Sequence, residues 1–192
     1  MGQRGDLRIV GGAWRGRRIP IADAPGLRPT PDRVRETLFN WLAPQLPGAR
    51  CLDAFAGSGV LGLEALSRGA TGCVFMEPDR RCRERLAAAI DTLGATGAVI
   101  DPGRSPEGWP GLAESGFDLV FLDPPFDADL LIPALAALPP RLRPGHRVYL
   151  EFAARREPDL PAGWAWHRRK RAGDVGYGLA TWSGAGEDAE HD

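Results

Sequence analysis

From residue 50 onward the chain alternates short apolar runs with amphipathic segments, and this alternation constrains the fold more than any other feature. Residues 51–55, 72–76, 98–100, 117–122 and 148–152 read as strands, each short and bounded by turn residues. Helices are predicted over 61–68 and 79–93, stopped by Gly69 and Gly94, and over 127–138. Strands separated by helices need crossover connections, which make the strands parallel and cover both faces of the sheet. The stretches 164–170 and 175–182 predict a closing antiparallel hairpin. The expected fold class is α/β: a doubly wound, mostly parallel seven-stranded sheet with a C-terminal antiparallel hairpin.

The first 48 residues do not follow that rhythm. Residues 7–20 predict a short β-hairpin turning at Gly11-Gly12, and residues 21–31 hold three prolines and read as a connector. Thr30-Pro31-Asp32 predicts a helix start, with threonine as cap and proline in the first turn. Val34, Leu38, Trp41 and Leu42 share one face of that helix. The division expected is a basic arm and helix over 1–48, an α/β domain over 49–182, and a disordered acidic tail over 183–192.

Net charge is −1, so total charge does not announce a polyanion partner, but its distribution is uneven. Residues 1–35 hold eight arginines against three acids, and Arg168, Arg169, Lys170 and Arg171 form a second basic run. Local basic patches bind phosphates whatever the total charge. Arg15, Arg17, Arg18, Arg28, Arg33 and Arg35 are the candidates, with a solvated arginine-rich surface as the plain alternative. No apolar run approaches the ~20 residues of a membrane span, and the polar N-terminus lacks the apolar stretch of a secretory signal, so a cytoplasmic protein is expected. Cys51, Cys73 and Cys82 fit no metal-ligand spacing; they are expected to be buried thiols, and no metal is expected.

Two constellations carry chemistry. Leu52-Asp53-Ala54-Phe55-Ala56-Gly57-Ser58-Gly59 lies where the first strand of the α/β region meets its helix. Ligands of open α/β sheets bind at strand carboxyl ends, where glycines admit a close approach and a helix N-terminus offers free N–H groups. Asp53 is suited to accept hydrogen bonds from a ligand's amino-acid end, and Glu77, closing the next strand, from ribose hydroxyls. Either acid also fits a plain turn or cap. Asp101 after the third strand suits an adenine amino group, and equally an ordinary Asp-Pro-Gly turn.

Asp123-Pro124-Pro125-Phe126 directly follows the strand Phe-Asp-Leu-Val-Phe-Leu. An exocyclic base amine is a poor nucleophile because its lone pair is delocalised into the ring. A carboxylate and a peptide carbonyl that accept its two hydrogens favour the pyramidal, reactive nitrogen. Asp123 supplies the carboxylate and Pro124 the carbonyl; the prolines stiffen the turn, and Phe126 can stack on a base that has left its helix.

Over Arg8–Ile19, Leu27–Leu42, Leu52–Ala70, Phe117–Phe126 and Trp164–Leu179 (RIVGGAWRGRRI, LRPTPDRVRETLFNWL, LDAFAGSGVLGLEALSRGA, FDLVFLDPPF and WAWHRRKRAGDVGYGL), the chain resembles the RsmD family of bacterial 16S ribosomal RNA guanine-N2 methyltransferases. The resemblance spans roughly residues 7–182. It implies a class I, Rossmann-like methyltransferase using S-adenosylmethionine. It further implies a guanine N2 in 16S rRNA as target and an assembling 30S subunit as partner; a monomer is expected. It places Asp53, Phe55, Gly57, Gly59 and Glu77 in the cofactor site, Asp123 to Phe126 in the catalytic motif, and Thr30 with the nearby arginines beside cofactor and RNA. Residues 101–110, with three prolines, depart from the family pattern, which bears on Asp101. The alternatives are an adenine-N6 methyltransferase of DNA or other RNA, a small-molecule methyltransferase, and an inactive RNA-binding protein on the same fold.

Overall fold

The computed structural model describes residues 6–20, 30–112 and 115–184. The connector, with Arg28, and most of the acidic tail therefore lie outside the described residues. In chain order, the elements are β1 (Asp6–Arg8), β2 (Arg18–Pro20), α1 (Asp32–Leu42), β3 (Arg50–Asp53), α2 (Val60–Ser67), β4 (Gly72–Met76), α3 (Arg80–Leu93), β5 (Ala98–Asp101), β6 (Phe117–Leu122), α4 (Leu131–Ala137), β7 (Leu142–Ala153), β8 (Trp164–Ala172) and β9 (Val175–Trp182). β1 and β2 form a separate antiparallel pair. The others make one seven-stranded sheet, ordered β5-β4-β3-β6-β7-β9-β8. β3 to β7 run parallel, while β9 runs antiparallel to both β7 and β8. Winding reverses between β3 and β6, and a crevice opens at such a switch point at the strand carboxyl ends.

Successive strand residues face opposite sides, so each central strand must be apolar throughout. Cys51, Cys73, Phe75, Leu119, Phe121 and Tyr149 pack in one core with Leu63 of α2 and Leu86 of α3. Leu7, Ile9 and Ile19 of the hairpin and Val34, Leu38 and Leu42 of α1 belong to that same core. Leu52, Val74, Val120, Leu122, Val148 and Leu150 face the other way, onto Leu131 and Leu135 of α4 and Trp109.

A buried ion network fastens the N-terminal elements. Arg35 is fully buried and donates to the carbonyls of Arg8 at 2.8 Å and Thr30 at 3.2 Å. It also pairs with Asp32 and lies 3.6 Å from Glu64, a lone acid in the otherwise apolar α2. Glu64 in turn accepts from the Val10 N–H and from Arg68, each at 2.9 Å. Arg35 is thus enclosed by protein and is not available to a phosphate, which corrects the sequence reading.

Two local expectations are also corrected. Pro31, not Thr30, occupies the cap position of α1, with no side-chain capping bond; the Thr30 hydroxyl points to other acceptors. α4 begins at Leu131 rather than at 127, because Asp129 at φ 48° breaks the helical path.

Replacing Arg35 by alanine removes one of the two cations beside the buried Glu64 carboxylate and the donor to the Arg8 and Thr30 carbonyls. Removing one partner of a buried ion pair costs about 3–5 kcal/mol. Urea unfolding of Arg35→Ala is expected to show a loss of that size. Arg80→Ala, which removes an ion pair exposed on both sides, is expected to leave the midpoint unchanged.

Candidate active site

The switch-point crevice collects the acids singled out in the sequence. Asp53 closes β3 and is buried; its Oδ2 accepts the Gly62 N–H of α2 at 3.0 Å. Between them the chain turns through Gly57 at φ 52° and Gly59 at φ 73°. A side chain at Gly59 would meet Leu86 at 2.4 Å, so glycine is required there by both backbone and space. Phe55 is half-buried and packs against the α4 side of the sheet.

Glu77 follows β4 and is buried. It accepts from the Gly57 N–H at 2.8 Å and the Asp79 N–H at 2.7 Å, one on each oxygen. The α3 cap is Asp79, which accepts from the Arg81 and Cys82 N–H groups. Glu77 therefore bridges the glycine turn of one crossover to the start of the next. Asp101 accepts the Gly103 N–H at 2.6 Å. This is the turn geometry its Asp-Pro-Gly sequence allows.

Asp123 follows β6, the strand beside β3, and lies between Asp53 and Glu151. The Thr30 hydroxyl approaches Asp123 Oδ2 at 3.3 Å and Glu151 Oε2 at 3.1 Å. The Tyr149 hydroxyl donates to the same Glu151 oxygen at 2.7 Å. One hydroxyl hydrogen on Thr30 cannot serve two acceptors. The arrangement is fully satisfied when one of the two carboxyls carries a proton and donates it back to Thr30.

The electrostatics agree with that geometry. Burial, opposed by the Gly62 N–H and reinforced by the Glu77 charge, pushes the Asp53 carboxyl up to about 7. Asp123 is half-buried. Protein atoms still crowd it enough that burial, then Glu151, then Asp53 hold its carboxyl well above the ordinary range. Burial also raises Glu151, against the hydrogen bonds from Tyr149 and Thr30. Like charges in a poorly solvated cleft disfavour one another's ionisation.

Beyond the Asp-Pro-Pro-Phe turn a cleft of about 380 Å³ opens, lined by Pro124, Pro125, Phe126, Leu131, Glu151 and Phe152. Among the predicted site residues, Thr30, Asp53, Glu77 and Asp123 converge on the crevice with Gly57 and Gly59. Arg17 and Arg35 do not, and Arg28 lies outside the described residues. Arg17 donates to the Thr92 carbonyl at 2.7 Å, at the carboxyl end of α3 and so at the far end of the sheet. Arg15 stands beside it at the hairpin tip, and Arg18 lies on β2. Exposed Arg33, in the first turn of α1, is nearest in sequence to Thr30. Sequence reasoning missed Glu151 and Tyr149. The signal was a single acid inside Val-Tyr-Leu-Glu-Phe, a strand otherwise apolar.

Fold and crevice together define a methyltransferase of the Rossmann-like class. Residues 7–181 match the family model described as conserved hypothetical protein 95, and the chain belongs to that family. It is 46% identical over 188 residues to ribosomal RNA small subunit methyltransferase D of Escherichia coli strain K12, covering 95% of this chain and 93% of the relative. It is 39% identical over 186 residues to the protein of the same name from Haemophilus influenzae, covering 92% of this chain and 94% of the relative. Among solved structures, yhhF from Escherichia coli superposes with a TM-score of 0.83 at 41% identity, over 93% of this chain and 98% of that one. No helix among the described residues is long and apolar enough to cross a membrane. No three or more His, Cys, Asp or Glu side chains among them are placed so that they could hold a metal ion.

A carboxyl raised in the folded state opposes folding once it must ionise. Asp53 therefore costs stability progressively as pH climbs from the ordinary carboxylate value through about 7. Between about pH 5 and pH 8, the wild-type unfolding free energy is expected to fall by ~3 kcal/mol more than that of Asp53→Asn. Parallel denaturant titrations at the two pH values check this.

Proposed function

We propose that this chain methylates the exocyclic N2 of a guanine in small-subunit ribosomal RNA, with S-adenosylmethionine as donor. The observation that carries the reading is Asp123. Its carboxyl stands at the Asp-Pro-Pro-Phe turn, one strand from Asp53 and beside an open cleft. The names of the relatives supply the RNA class.

The residues present fit the donor. S-adenosylmethionine offers an ammonium, two ribose hydroxyls and an adenine amine, all hydrogen-bond donors, and the crevice offers acids. Asp53 is assigned to the ammonium end, Glu77 to the ribose and Asp101 to the adenine. Gly57, Gly59 and Phe55 shape the space between, and Thr30 closes it from the N-terminal side. When bound, the donor supplies a methyl on a sulfonium sulfur, which keeps the electron pair of the broken carbon–sulfur bond. Asp123 and the Pro124 carbonyl accept the two amine hydrogens and hold the lone pair toward the methyl. Asp123 then faces the proton released as the new nitrogen–carbon bond forms. Phe126 offers its ring to the flipped base. Exposed Arg15, Arg18 and Arg33, together with Arg28, are the remaining phosphate candidates of the arm. The substrate in this reading is a partly assembled 30S subunit in the cytoplasm.

Small subunits lacking the modification, incubated with protein and labelled S-adenosylmethionine, are expected to yield labelled N2-methylguanosine. Labelled N6-methyladenosine, or label in free metabolites only, contradicts the proposal. Asp123→Ala is expected to reduce transfer at least ~10³-fold. Its cofactor affinity by calorimetry should stay within about threefold of wild type. Lost cofactor affinity with normal turnover would remove Asp123 from the substrate side.

A further inference from the structure

Glu151 is a buried acid beside Asp123 to which the proposed transfer gives no task. It is the buried ionisable group lining the cleft, whereas Asp129, Arg156 and Glu157 are exposed there. Its Oε2 is held by the Tyr149 hydroxyl at 2.7 Å and lies 3.1 Å from the Thr30 hydroxyl. Its other oxygen, Oε1, takes no hydrogen bond among the described residues and is not shut off from solvent, so it opens on the cleft that Glu151 lines. A carboxyl with one oxygen fixed by protein donors and the other facing an open cleft is free to accept from a ligand's N–H. Asp123 and Glu151 both reach the same Thr30 hydroxyl, Asp123 at 3.3 Å. Two acceptors so closely linked suit two neighbouring donors on one planar base.

Guanine has such a pair: the N2 amine and, beside it, the N1–H. Adenine presents a bare acceptor at N1. Building on the guanine-N2 reading, we infer that Glu151 accepts the N1–H of the target base and so selects guanine over adenine. The assignment also gives Tyr149 and Thr30 a task. They are positioning residues that fix Oε2 and leave Oε1 to the base. Drawing the N1 proton toward the carboxylate leaves more of the N–H bonding electrons on the ring, which enriches the N2 lone pair.

The test uses the full chain and small subunits reconstituted with rRNA that carries either guanine or 2-aminopurine at the methylated position. 2-Aminopurine keeps the N2 amine but has an acceptor at N1. A site built to bind an N–H rejects an analogue lacking it by up to about 10⁴-fold. Wild type is expected to prefer guanine at least ~10³-fold in kcat/KM. Glu151→Gln can turn either end of its amide to N1. It should lose guanine activity and bring the preference within about tenfold, while binding S-adenosylmethionine as wild type does. Tyr149→Phe removes a donor to Oε2 without removing the acid. It should lower the preference about tenfold with an unchanged melting temperature. If folded Glu151→Gln or, should it not fold, Tyr149→Phe keeps the wild-type preference, the inference is overturned. A wild type that methylates neither base at N2 overturns the underlying reading instead, and the inference with it.

Discussion

Three carboxyl groups, those of Asp53, Asp123 and Glu151, share one poorly solvated crevice, and the rest of the site is arranged around that constraint. Each is delivered by a different parallel strand at its carboxyl end, so the strand order places them side by side. Burial dominates for all three and raises them. Left alone, such a cluster favours neutral acids. The cationic donor and base amine proposed above would reverse that preference, because positive charge and N–H donors favour the ionised forms. On the proposed reading, the crevice is electrostatically incomplete until those ligands arrive.

The N-terminal elements complete the crevice. Arg35 ties the Thr30 carbonyl, the hairpin and Glu64 of α2 into one network. That network brings the Thr30 hydroxyl over the acids of β6 and β7. Shared packing of Leu7, Ile9 and Ile19 with the α2 and α3 core holds the whole segment in register. The arm contributes to the site through a single hydroxyl as much as through its charge.

Much of this was legible in the sequence. The strand–helix alternation gave the parallel sheet and the closing hairpin, because burial on both faces leaves a continuous apolar run with sharp ends. Asp53, Glu77 and Asp123 were legible because each terminates such a run beside glycine or proline. What failed did so for nameable reasons. Thr-Pro-Asp is a strong local capping signature, but a tertiary demand from Glu151 and Asp123 won the Thr30 hydroxyl. Arg35 reads as a surface cation, since neither its burial nor the Glu64 partner 29 positions later is visible locally. Arg17 is spent on a backbone carbonyl at the wrong end of the sheet for the crevice. Glu151 was overlooked because one acid does not break a strand's apolar pattern, although its isolation was itself the clue.

Isotope-edited infrared spectroscopy of the aspartate and glutamate carboxyls at about pH 6 tests the central claim most directly. The carboxyl-cluster account predicts protonated-carboxyl absorption in the free protein, reduced in Asp123→Asn and shifted toward carboxylate when S-adenosylmethionine is added. A free protein whose carboxyls are all ionised at that pH, with a spectrum insensitive to the cofactor, would contradict it.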